Sequence, residues 1–344
     1  MSQAGCEMNP SIDIAGCFRF LSQAVLKCWK VLVYCVVFFL FVYFVLGVFT
    51  ATVIIVAAFG MIFYKTQDHL LYHPDDNNAN SRDFVMDPSA FSLPFQNIFI
   101  QSEDGTRINL YFIRHPDPKG LIVPTLVFFH GNAGNMGHRL QNAAGLYTNL
   151  QCNVLMVEYR GYGRSQGHPT EKGLYMDARA AMDFLATRPD VNQNKIIVFG
   201  RSLGGAVAID LAARPEYGCR IWCLIVENTF TSIPEIMLSL FKHKWLRFVP
   251  LFAYKNKYLS TKKIVNVNIP TLFISGLKDR LVPPKMMTTL FALCPSPNSK
   301  LLQITSGRHN DTWTCNDYYR QISEFLQTVH SYKPNPPSST VINI

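Results

Sequence analysis

Short apolar runs alternate with helix-like segments through most of the chain after residue 94, and this alternation limits the possible folds more than any other feature. The runs TLVFFH, NVLMVEY, KIIVFG, IWCLIVEN and TLFISG have the length and composition of strands buried on both faces. Segments such as TEKGLYMDARAAMDFLATR and LGGAVAIDLAAR lie between them and have helical character. Such alternation is typical of a mainly parallel sheet with helices on both faces, so we predict an α/β fold.

Two stretches depart from this alternation. FQNIFIQSEDGTRINLYFIRH predicts two strands joined at Asp104-Gly105, which places a hairpin before the parallel strands. Between Thr229 and Ile269 the alternation lapses, and this insert combines Trp245 and several phenylalanines with seven basic residues. We predict that residues 229–269 form a short lid over the carboxyl edge of the sheet, and an ordinary solvated surface helix is the alternative.

A long uncharged run precedes the α/β region. From Val31 to Tyr64 the chain has no Asp, Glu, Lys, Arg or His over 34 residues, whereas a membrane-spanning helix needs only about 20. A cleaved signal peptide is the competing interpretation, but its apolar stretch is about 7–15 residues long. A tight hairpin around Gly47 is the other alternative, although each arm would be short. We therefore predict one N-terminal transmembrane helix within this run.

The predicted organisation follows from these features. It comprises an N-terminal segment (1–30), the anchor (31–64), a polar linker (65–94), the α/β domain (95–330) and a Pro/Ser-rich flexible tail (331–344). Basic residues near the span favour a single-pass type II orientation with a cytoplasmic N-terminus and a lumenal or extracellular domain. The basic residues are Arg19, Lys27 and Lys30 before the span, and Lys65 and the more distant Arg82 after it.

Charge and cysteine content restrict the partners. The net charge is +9, of which +8 lies after residue 64, so the predicted partner is a bilayer surface with anionic head groups. The chain has no arginine-rich tract and no aromatic-interleaved basic motif, so we expect no nucleic acid partner. The nine cysteines show no zinc-site or disulfide-framework spacing. We expect no metal and no cofactor, and the sequence gives no sign of oligomeric state.

One serine lies in a distinctive setting. Gly200-Arg201-Ser202-Leu203-Gly204 has the G-x-S-x-G pattern and falls between KIIVF and a helical stretch, the context that this motif needs. A sharp strand-to-helix turn would project the Ser202 hydroxyl outward, and Cβ atoms on the flanking residues would collide with the adjacent strand and helix. The free N–H groups of the helix N-terminus would lie beside that oxygen.

A serine hydroxyl needs a base to accept its proton and an acid to orient that base. In this type of fold the acid follows the serine along the chain and a histidine follows the acid. Asp279 comes after the strand TLFISG, and His309 comes after the strand KLLQIT. Both are expected in loops at the carboxyl edge of the sheet. Glu227 is the reserve acid, whereas Asp311 is too close to His309 in sequence to orient it.

The last element of such a site is an oxyanion hole. We predict that the backbone N–H of Leu203, directly after the nucleophile, is one donor. The second is expected from the loop GNAGN that follows TLVFFH, and we assign it to the N–H of Asn132. His130 is expected to shape this loop through hydrogen bonds, and Asn135 and His138 are expected to begin the next helix.

Together these segments resemble the α/β-hydrolase fold serine hydrolases. The resemblance covers nearly the whole chain from about Lys65 and rests on FFHGNAGNMGHRL, EYRGYGRSQG, FGRSLGGAVAI, VENTF, YKNKYLS, FISGLKDRLVPP and HNDTW. It implies a single-pass membrane protein with Ser202, Asp279 and His309 as a catalytic triad. It also implies that EYRGYGRSQG forms a tight structural loop below the site.

The predicted function is hydrolysis of a carboxylic ester or thioester on an acyl lipid or a lipidated protein. The alternative from another class is a non-catalytic binding or adaptor protein on the same fold. A dehalogenase or epoxide hydrolase would need Asp in place of Ser202. Asn310-Asp311-Thr312 is a glycosylation sequon. A glycan there would crowd His309, so either Asn310 is unmodified or the domain is cytoplasmic.

Overall fold

The computed structural model describes residues 14–75, 84–241 and 247–331. The chain divides into two compact units, Met1–Lys65 and Thr66–Ile344. The tail from residue 332, the first 13 residues of the predicted N-terminal segment, Arg82 and the lid residues 242–246 with Trp245 lie outside the described residues.

The described part of the first unit is helical. Helix α1 (Ile14–Leu71) is interrupted at Gly47, whose φ of 83° and ψ of 167° are not helical. A positive φ costs glycine little because it has no Cβ atom. Within the described residues, the stretch Trp29–Leu71 is the one helix long and apolar enough to cross a membrane. Helix α1 begins inside the predicted N-terminal segment and continues into the predicted linker.

The second unit is built on one eight-stranded sheet. The strands are β1 (Phe95–Gln101), β2 (Arg107–Ile113), β3 (Thr125–Phe129), β4 (Asn153–Val157), β5 (Ile196–Arg201), β6 (Cys223–Glu227), β7 (Thr271–Gly276) and β8 (Lys300–Ile304). Their spatial order is β1-β2-β4-β3-β5-β6-β7-β8. The β1–β2 and β2–β4 pairs are antiparallel, and every later pair is parallel. The predicted hairpin and the mainly parallel sheet are confirmed.

Helices cover both faces of this sheet. After α1 they are α2 (Lys119–Ile122), α3 (Leu140–Leu150), α4 (Glu171–Ala186), α5 (Leu203–Ala212), α6 (Pro215–Gly218), α7 (Ile233–Phe241), α8 (Ser260–Ile264), α9 (Pro284–Leu293) and α10 (Tyr318–Ser331). Alternate residues of β3 enter different hydrophobic clusters. Val127 and Phe129 pack with α4, α5 and α9, whereas Leu126 and Phe128 pack with α3 and α10. The central strands are therefore buried on both faces, as their continuous apolar runs predict.

Two predicted segments have more structure than a linker or a plain surface helix. In the predicted linker, Tyr72 is buried in the core, and Pro88–Phe91 forms a 3-10 helix capped by Asp87. The predicted lid contains α7, a 3-10 helix at Leu251–Ala253, and α8. None of the residues of α7 is buried.

Candidate active site

The candidate nucleophile lies in a tight turn between a strand and a helix. Strand β5 ends at Arg201 and α5 begins at Leu203, so Ser202 alone makes the turn, with a φ of 53° and a ψ of −118°. A Cβ atom on Gly200 would lie 2.2 Å from the carbonyl oxygen of Gly204, and one on Gly204 would lie 2.1 Å from that of Phe129. Backbone atoms cannot move aside as side chains do. The glycines of the motif therefore have the steric role that the sequence predicts.

The three predicted polar side chains form a continuous hydrogen-bonded line. His309 Nε2 lies 3.0 Å from Ser202 Oγ, and His309 Nδ1 lies 2.7 Å from Asp279 Oδ2. A neutral imidazole with its proton on Nδ1 donates to the carboxylate and leaves Nε2 free to accept the serine proton. The His309 side chain is 12% exposed and that of Asp279 is 1% exposed. The imidazole is thus partly open to solvent, whereas the Asp279 carboxylate is shielded from it.

Asp279 is itself fixed by the backbone. Its Oδ1 atom accepts hydrogen bonds from the N–H groups of Leu281 (2.8 Å) and Val282 (2.9 Å). One carboxylate oxygen is therefore held by its own loop and the other faces His309. Because the carboxylate cannot rotate freely, it holds the His309 imidazole in one orientation.

Two residues after β6 hold the serine turn and the histidine loop, and sequence analysis did not identify them. The Asn228 amide nitrogen donates to the carbonyl oxygens of Arg308 and His309 (both 3.1 Å), and the amide oxygen accepts from Gly276 N–H (2.8 Å). The Thr229 hydroxyl donates to the carbonyl oxygen of Ser202 (2.7 Å). The available signal was a polar pair directly after a buried strand.

Glu227, the reserve acid, does not serve His309 in this structure. Its carboxylate is fully buried and accepts from Arg201 Nε at 2.8 Å, and it also bonds the hydroxyl of Tyr318. Burial raises the pKa of Tyr318 well above its usual value, so this hydroxyl remains a neutral donor. Asp311 accepts from the N–H of Arg308 at 2.8 Å. Both carboxylates are thus engaged elsewhere.

The loop after β3 lies against the nucleophile. A Cβ atom on Gly131 would be 3.6 Å from Ser202 Cβ, which is ordinary van der Waals contact. The side chain of Asn132 donates to the carbonyl oxygen of Leu71 and accepts from the Tyr162 hydroxyl at 2.9 Å. Leu203, the other predicted donor, is the first residue of α5, where N–H groups have no intrahelical partner. The loop after β3 and the start of α5, which carry the two predicted N–H donors, therefore both lie next to Ser202.

His130 and the start of the next helix have structural contacts. His130 Nδ1 lies 2.7 Å from the carbonyl oxygen of Gly131, and His130 Nε2 is at ion-pair distance (3.0 Å) from the buried Glu158 without hydrogen-bond alignment. Asn135 and His138 form a reciprocal cap at the N-terminus of the 3-10 helix that leads into α3. These contacts agree with the structural roles predicted for them.

Asn310, the sequon residue, is exposed and directly follows His309. Its carbonyl oxygen accepts a hydrogen bond from Trp313 Nε1 at 2.9 Å. In the described ranges, no group of three or more His, Cys, Asp or Glu side chains is arranged to hold a metal ion.

An α/β hydrolase has a mainly parallel sheet with a nucleophile in a tight strand-to-helix turn, followed along the chain by an acid and a histidine. This chain has the same arrangement, with Ser202 in the turn. The chain belongs to the α/β-hydrolase family. A family model described as serine aminopeptidase, S33, matches residues 121–266. The chain is 36% identical over 297 residues to the α/β hydrolase domain-containing protein WAV2 of Arabidopsis thaliana, covering 82% of this chain and 92% of that protein.

Other relatives extend this result. Protein bem46 of Schizosaccharomyces pombe is 38% identical over 268 residues, covering 76% of this chain and 86% of that protein. A Saccharomyces cerevisiae protein named as an uncharacterized membrane protein is 32% identical, covering 76% of this chain and 89% of its own length. A solved esterase of Pyrococcus furiosus superposes with a TM-score of 0.58 at 21% identity, covering 71% of this chain and 97% of the esterase. That likeness concerns the fold.

Proposed function

We propose that the protein is a membrane-anchored serine hydrolase that cleaves carboxylic esters or thioesters through Ser202, His309 and Asp279. The observation that carries this proposal is the placement of His309 between the other two side chains, at 3.0 Å and 2.7 Å. Three residues from separate loops meet there in the order that proton transfer requires. An incidental surface histidine has no reason to meet both partners at once.

The proposed reaction begins with attack of Ser202 Oγ on the acyl carbonyl carbon while His309 Nε2 takes the hydroxyl proton. The resulting imidazolium is stabilised by Asp279 and then protonates the leaving alcohol or thiol, which leaves an acyl-serine. A water molecule, deprotonated by His309 in the same way, attacks the acyl-serine and releases the carboxylic acid. Ser202 recovers its proton from His309, and the cycle closes.

The proposed oxyanion hole uses the backbone N–H groups of Leu203 and Asn132. The N-terminus of α5 favours negative charge next to Ser202 because its N–H groups point toward that position. Loss of one such donor typically costs about 3–4 kcal/mol of transition-state stabilisation. Side-chain replacement cannot remove these donors, so their contribution is tested through the residues that hold the loop.

The proposed substrates are acyl lipids or lipidated proteins. The support is the long apolar helix that precedes the hydrolase domain, together with the lid insert, which is rich in aromatic and basic residues. The family description names a serine aminopeptidase and a structural neighbour is an esterase, and both cleave an acyl group from a leaving group. A substrate panel should therefore include lysophospholipids, palmitoyl thioesters, short soluble esters and aminoacyl arylamides.

Activity-based labelling tests the enzyme proposal directly. A fluorophosphonate probe should label the full-length wild-type protein and should not label Ser202→Ala, because only an activated serine reacts. Turnover by Ser202→Ala should fall by about three to six decades in kcat. If the wild-type protein in proteoliposomes resists the probe while active control hydrolases are labelled, the adaptor alternative replaces the enzyme proposal.

The proposed orientation has a cytoplasmic N-terminus and a lumenal or extracellular hydrolase domain, as the flanking basic residues favour. Protease protection of sealed microsomes tests this, because a lumenal domain is resistant until detergent is added. Glycosidase sensitivity, with Asn310→Gln as control, then reports whether the sequon is used. Digestion of the domain in intact microsomes would contradict the proposed orientation.

A further inference from the structure

The segment from Arg247 to Ala253 carries the most exposed large apolar side chains in the described part of the second unit. Phe248 is 85% exposed, Phe252 is 80% exposed and Leu251 is 41% exposed. Arg247, which opens the segment, is also exposed. We call Arg247, Phe248, Leu251 and Phe252 the lid tip. Exposed phenylalanines beside a basic residue are typical of surfaces that bind a membrane interface.

The lid tip is fixed to the chain that leaves the apolar run. Gln67 Nε2 donates to the carbonyl oxygen of Ala253 (2.7 Å), and Gln67 Oε1 accepts from Lys255 N–H (2.9 Å). Gln67 comes three residues after Tyr64, the last residue of the apolar run. Three residues of chain span at most about 11 Å. The lid is therefore attached to the chain at a residue only three positions beyond the apolar run.

A second layer of bonds makes this attachment firm. Asp68 pairs with the ammonium group of Lys255 and accepts from Asn256 Nδ2 (2.6 Å). Asn256 is buried, and its Oδ1 atom accepts from the Tyr72 hydroxyl (3.0 Å) and from Glu171 N–H (2.8 Å). The base of the lid is thus bonded both to the segment after the apolar run and to the N-terminus of α4.

The insert that carries the lid tip begins at Thr229, which contacts the backbone of Ser202. Thr229 bonds the carbonyl oxygen of Ser202, and α7 starts four residues later at Ile233. Along the chain, the insert therefore connects the serine turn to the lid tip.

We propose that the lid tip inserts into the head-group region of the bilayer that holds α1, and that it admits substrate from the membrane to Ser202. Phe248, Leu251 and Phe252 enter the boundary between head groups and acyl chains, and Arg247 bonds lipid phosphate. The occupant of this surface is a phospholipid bilayer. The role in substrate entry rests on the proposed hydrolase function, whereas the insertion itself does not.

Photocrosslinking of the full-length protein tests the insertion without any need for activity. p-Benzoylphenylalanine is placed at position 252 or 248, and the protein is reconstituted in vesicles of phosphatidylcholine and phosphatidylserine that contain an alkyne-labelled phospholipid. The matched control is position 122. Ile122 is 63% exposed and comes just before the first residue of β3, whereas the insert follows the last residue of β6. We expect about tenfold more lipid adduct from 252 and 248 than from 122, since only an inserted side chain meets acyl chains.

The contrary result is equally clear. A lipid yield at positions 252 and 248 no greater than that at 122 would overturn the insertion. So would adducts at these positions that contain only protein, because they would show that another polypeptide covers the lid tip.

Labelling rates test substrate entry. The double variant Phe248→Ser/Phe252→Ser should react with a short, water-soluble fluorophosphonate at the wild-type rate. It should react about tenfold more slowly with a long-chain fluorophosphonate dissolved in the vesicles, because two apolar contacts with the bilayer are lost. The control Leu121→Ser/Ile122→Ser should match the wild type with both probes. Equal rates for all proteins with the long-chain probe would overturn the entry role, and absence of labelling by either probe in the wild type would instead refute the hydrolase proposal.

Discussion

Ser202 has a φ of 53° and a ψ of −118°. For a residue with a side chain, such a strained backbone conformation costs roughly 1–3 kcal/mol. Its neighbours maintain the strain from both sides. Ser202 N–H donates to the carbonyl oxygen of Glu227 (2.9 Å), and the Thr229 hydroxyl donates to the carbonyl oxygen of Ser202 (2.7 Å). The hydroxyl is therefore held facing His309 before any substrate binds. Removal of the space that permits this turn should cost both stability and reactivity.

Gly204→Ala tests that space. The new Cβ atom would lie 2.1 Å from the carbonyl oxygen of Phe129, and neither partner can rotate away. Overpacking of this kind costs typically 1–3 kcal/mol. We expect a lower melting temperature in detergent micelles and loss of fluorophosphonate labelling. Gly131→Ala is the matched control, because its nearest neighbour would be at 3.6 Å, and it should unfold close to the wild-type temperature.

Asn228→Asp tests a positioning residue. The shape of the side chain and its acceptor for Gly276 N–H remain, but the donor to the carbonyl oxygens of Arg308 and His309 is lost. A small displacement of the His309 loop should lower kcat by about tenfold to a hundredfold and leave the KM for a small soluble ester nearly unchanged. Steady-state kinetics on a short ester separates the two parameters. Asn194→Ala, at an exposed loop position, is the control, and an unchanged kcat in Asn228→Asp would contradict the positioning role.

At the scale of secondary-structure elements, the loop after β3 depends on the last residue of α1 and on the chain that follows it. The Asn132 side chain bonds the carbonyl oxygen of Leu71, and Gly134 N–H donates to the carbonyl oxygen of His73 (3.1 Å). His73 and Ala133 also form an isolated parallel bridge. The end of α1 and the few residues after it are thus part of the framework of the proposed oxyanion hole.

Asn132→Ala measures this dependence, because it keeps the backbone N–H and removes both side-chain bonds. We expect kcat to fall by about tenfold to a hundredfold, because the N–H donor is no longer held in place. Tyr162→Phe removes only one of the two bonds and should show a smaller loss in the same direction. Pre-steady-state burst kinetics with a chromogenic ester separates the acylation step from the later hydrolysis of the acyl-serine. Wild-type acylation in Asn132→Ala would show that the loop keeps its shape without these bonds.

The hairpin of β1 and β2 is tied to the rest of the sheet by Arg160. This guanidinium bonds Asp104 at the hairpin turn (2.6 Å) and the buried Asp177 of α4 (2.8 Å). The hydrogen bond from Arg160 holds the pKa of Asp104 well below its usual value. A folded-state pKa below the unfolded value of about 3.9 gives stability that is present above that pH and lost as the pH falls.

Asp104→Asn should therefore lower the melting temperature at pH 7 more than at pH 3. The Asp104 side chain is 38% exposed, so solvent screening limits the effect at neutral pH to about 0.3–1 kcal/mol. Thermal unfolding of the wild type and the variant in micelles between pH 7 and pH 3 gives the difference directly. Glu324→Gln, which removes an exposed pair with Arg320, is a control for general loss of surface charge. A difference that grows as the pH falls would contradict the assigned cause.

At the scale of the whole molecule, local patterns predicted the eight strands, the serine turn and the two partners of Ser202. Buried strands have continuous apolar runs, and the motif has a steric requirement that one sequence can reveal. The order of the strands in the sheet could not be predicted from local patterns. Strand β4 lies between β2 and β3, and every interior strand has a similar apolar sequence. The roles of Tyr72 and Asn256 also left no local signal, and for Asn228 the only signal was its place in a polar pair after a buried strand. Each depends on hydrogen bonds to residues distant in sequence, and no periodicity marks such residues.

The charge of the whole chain leads to the last prediction. Of the net +9, +8 follows residue 64, so we propose that the unit that carries the proposed site is attracted to anionic surfaces. Turnover of a short water-soluble ester should not depend on the charge of added vesicles. Turnover of a lipid ester in those vesicles should be faster with phosphatidylserine than with phosphatidylcholine alone. The preference should shrink as salt rises from about 0.1 M to 1 M, where the screening length falls from about 10 Å to about 3 Å. The short soluble ester is the internal control, and a preference for anionic vesicles that persists at 1 M salt would assign it to specific head-group recognition instead of net charge.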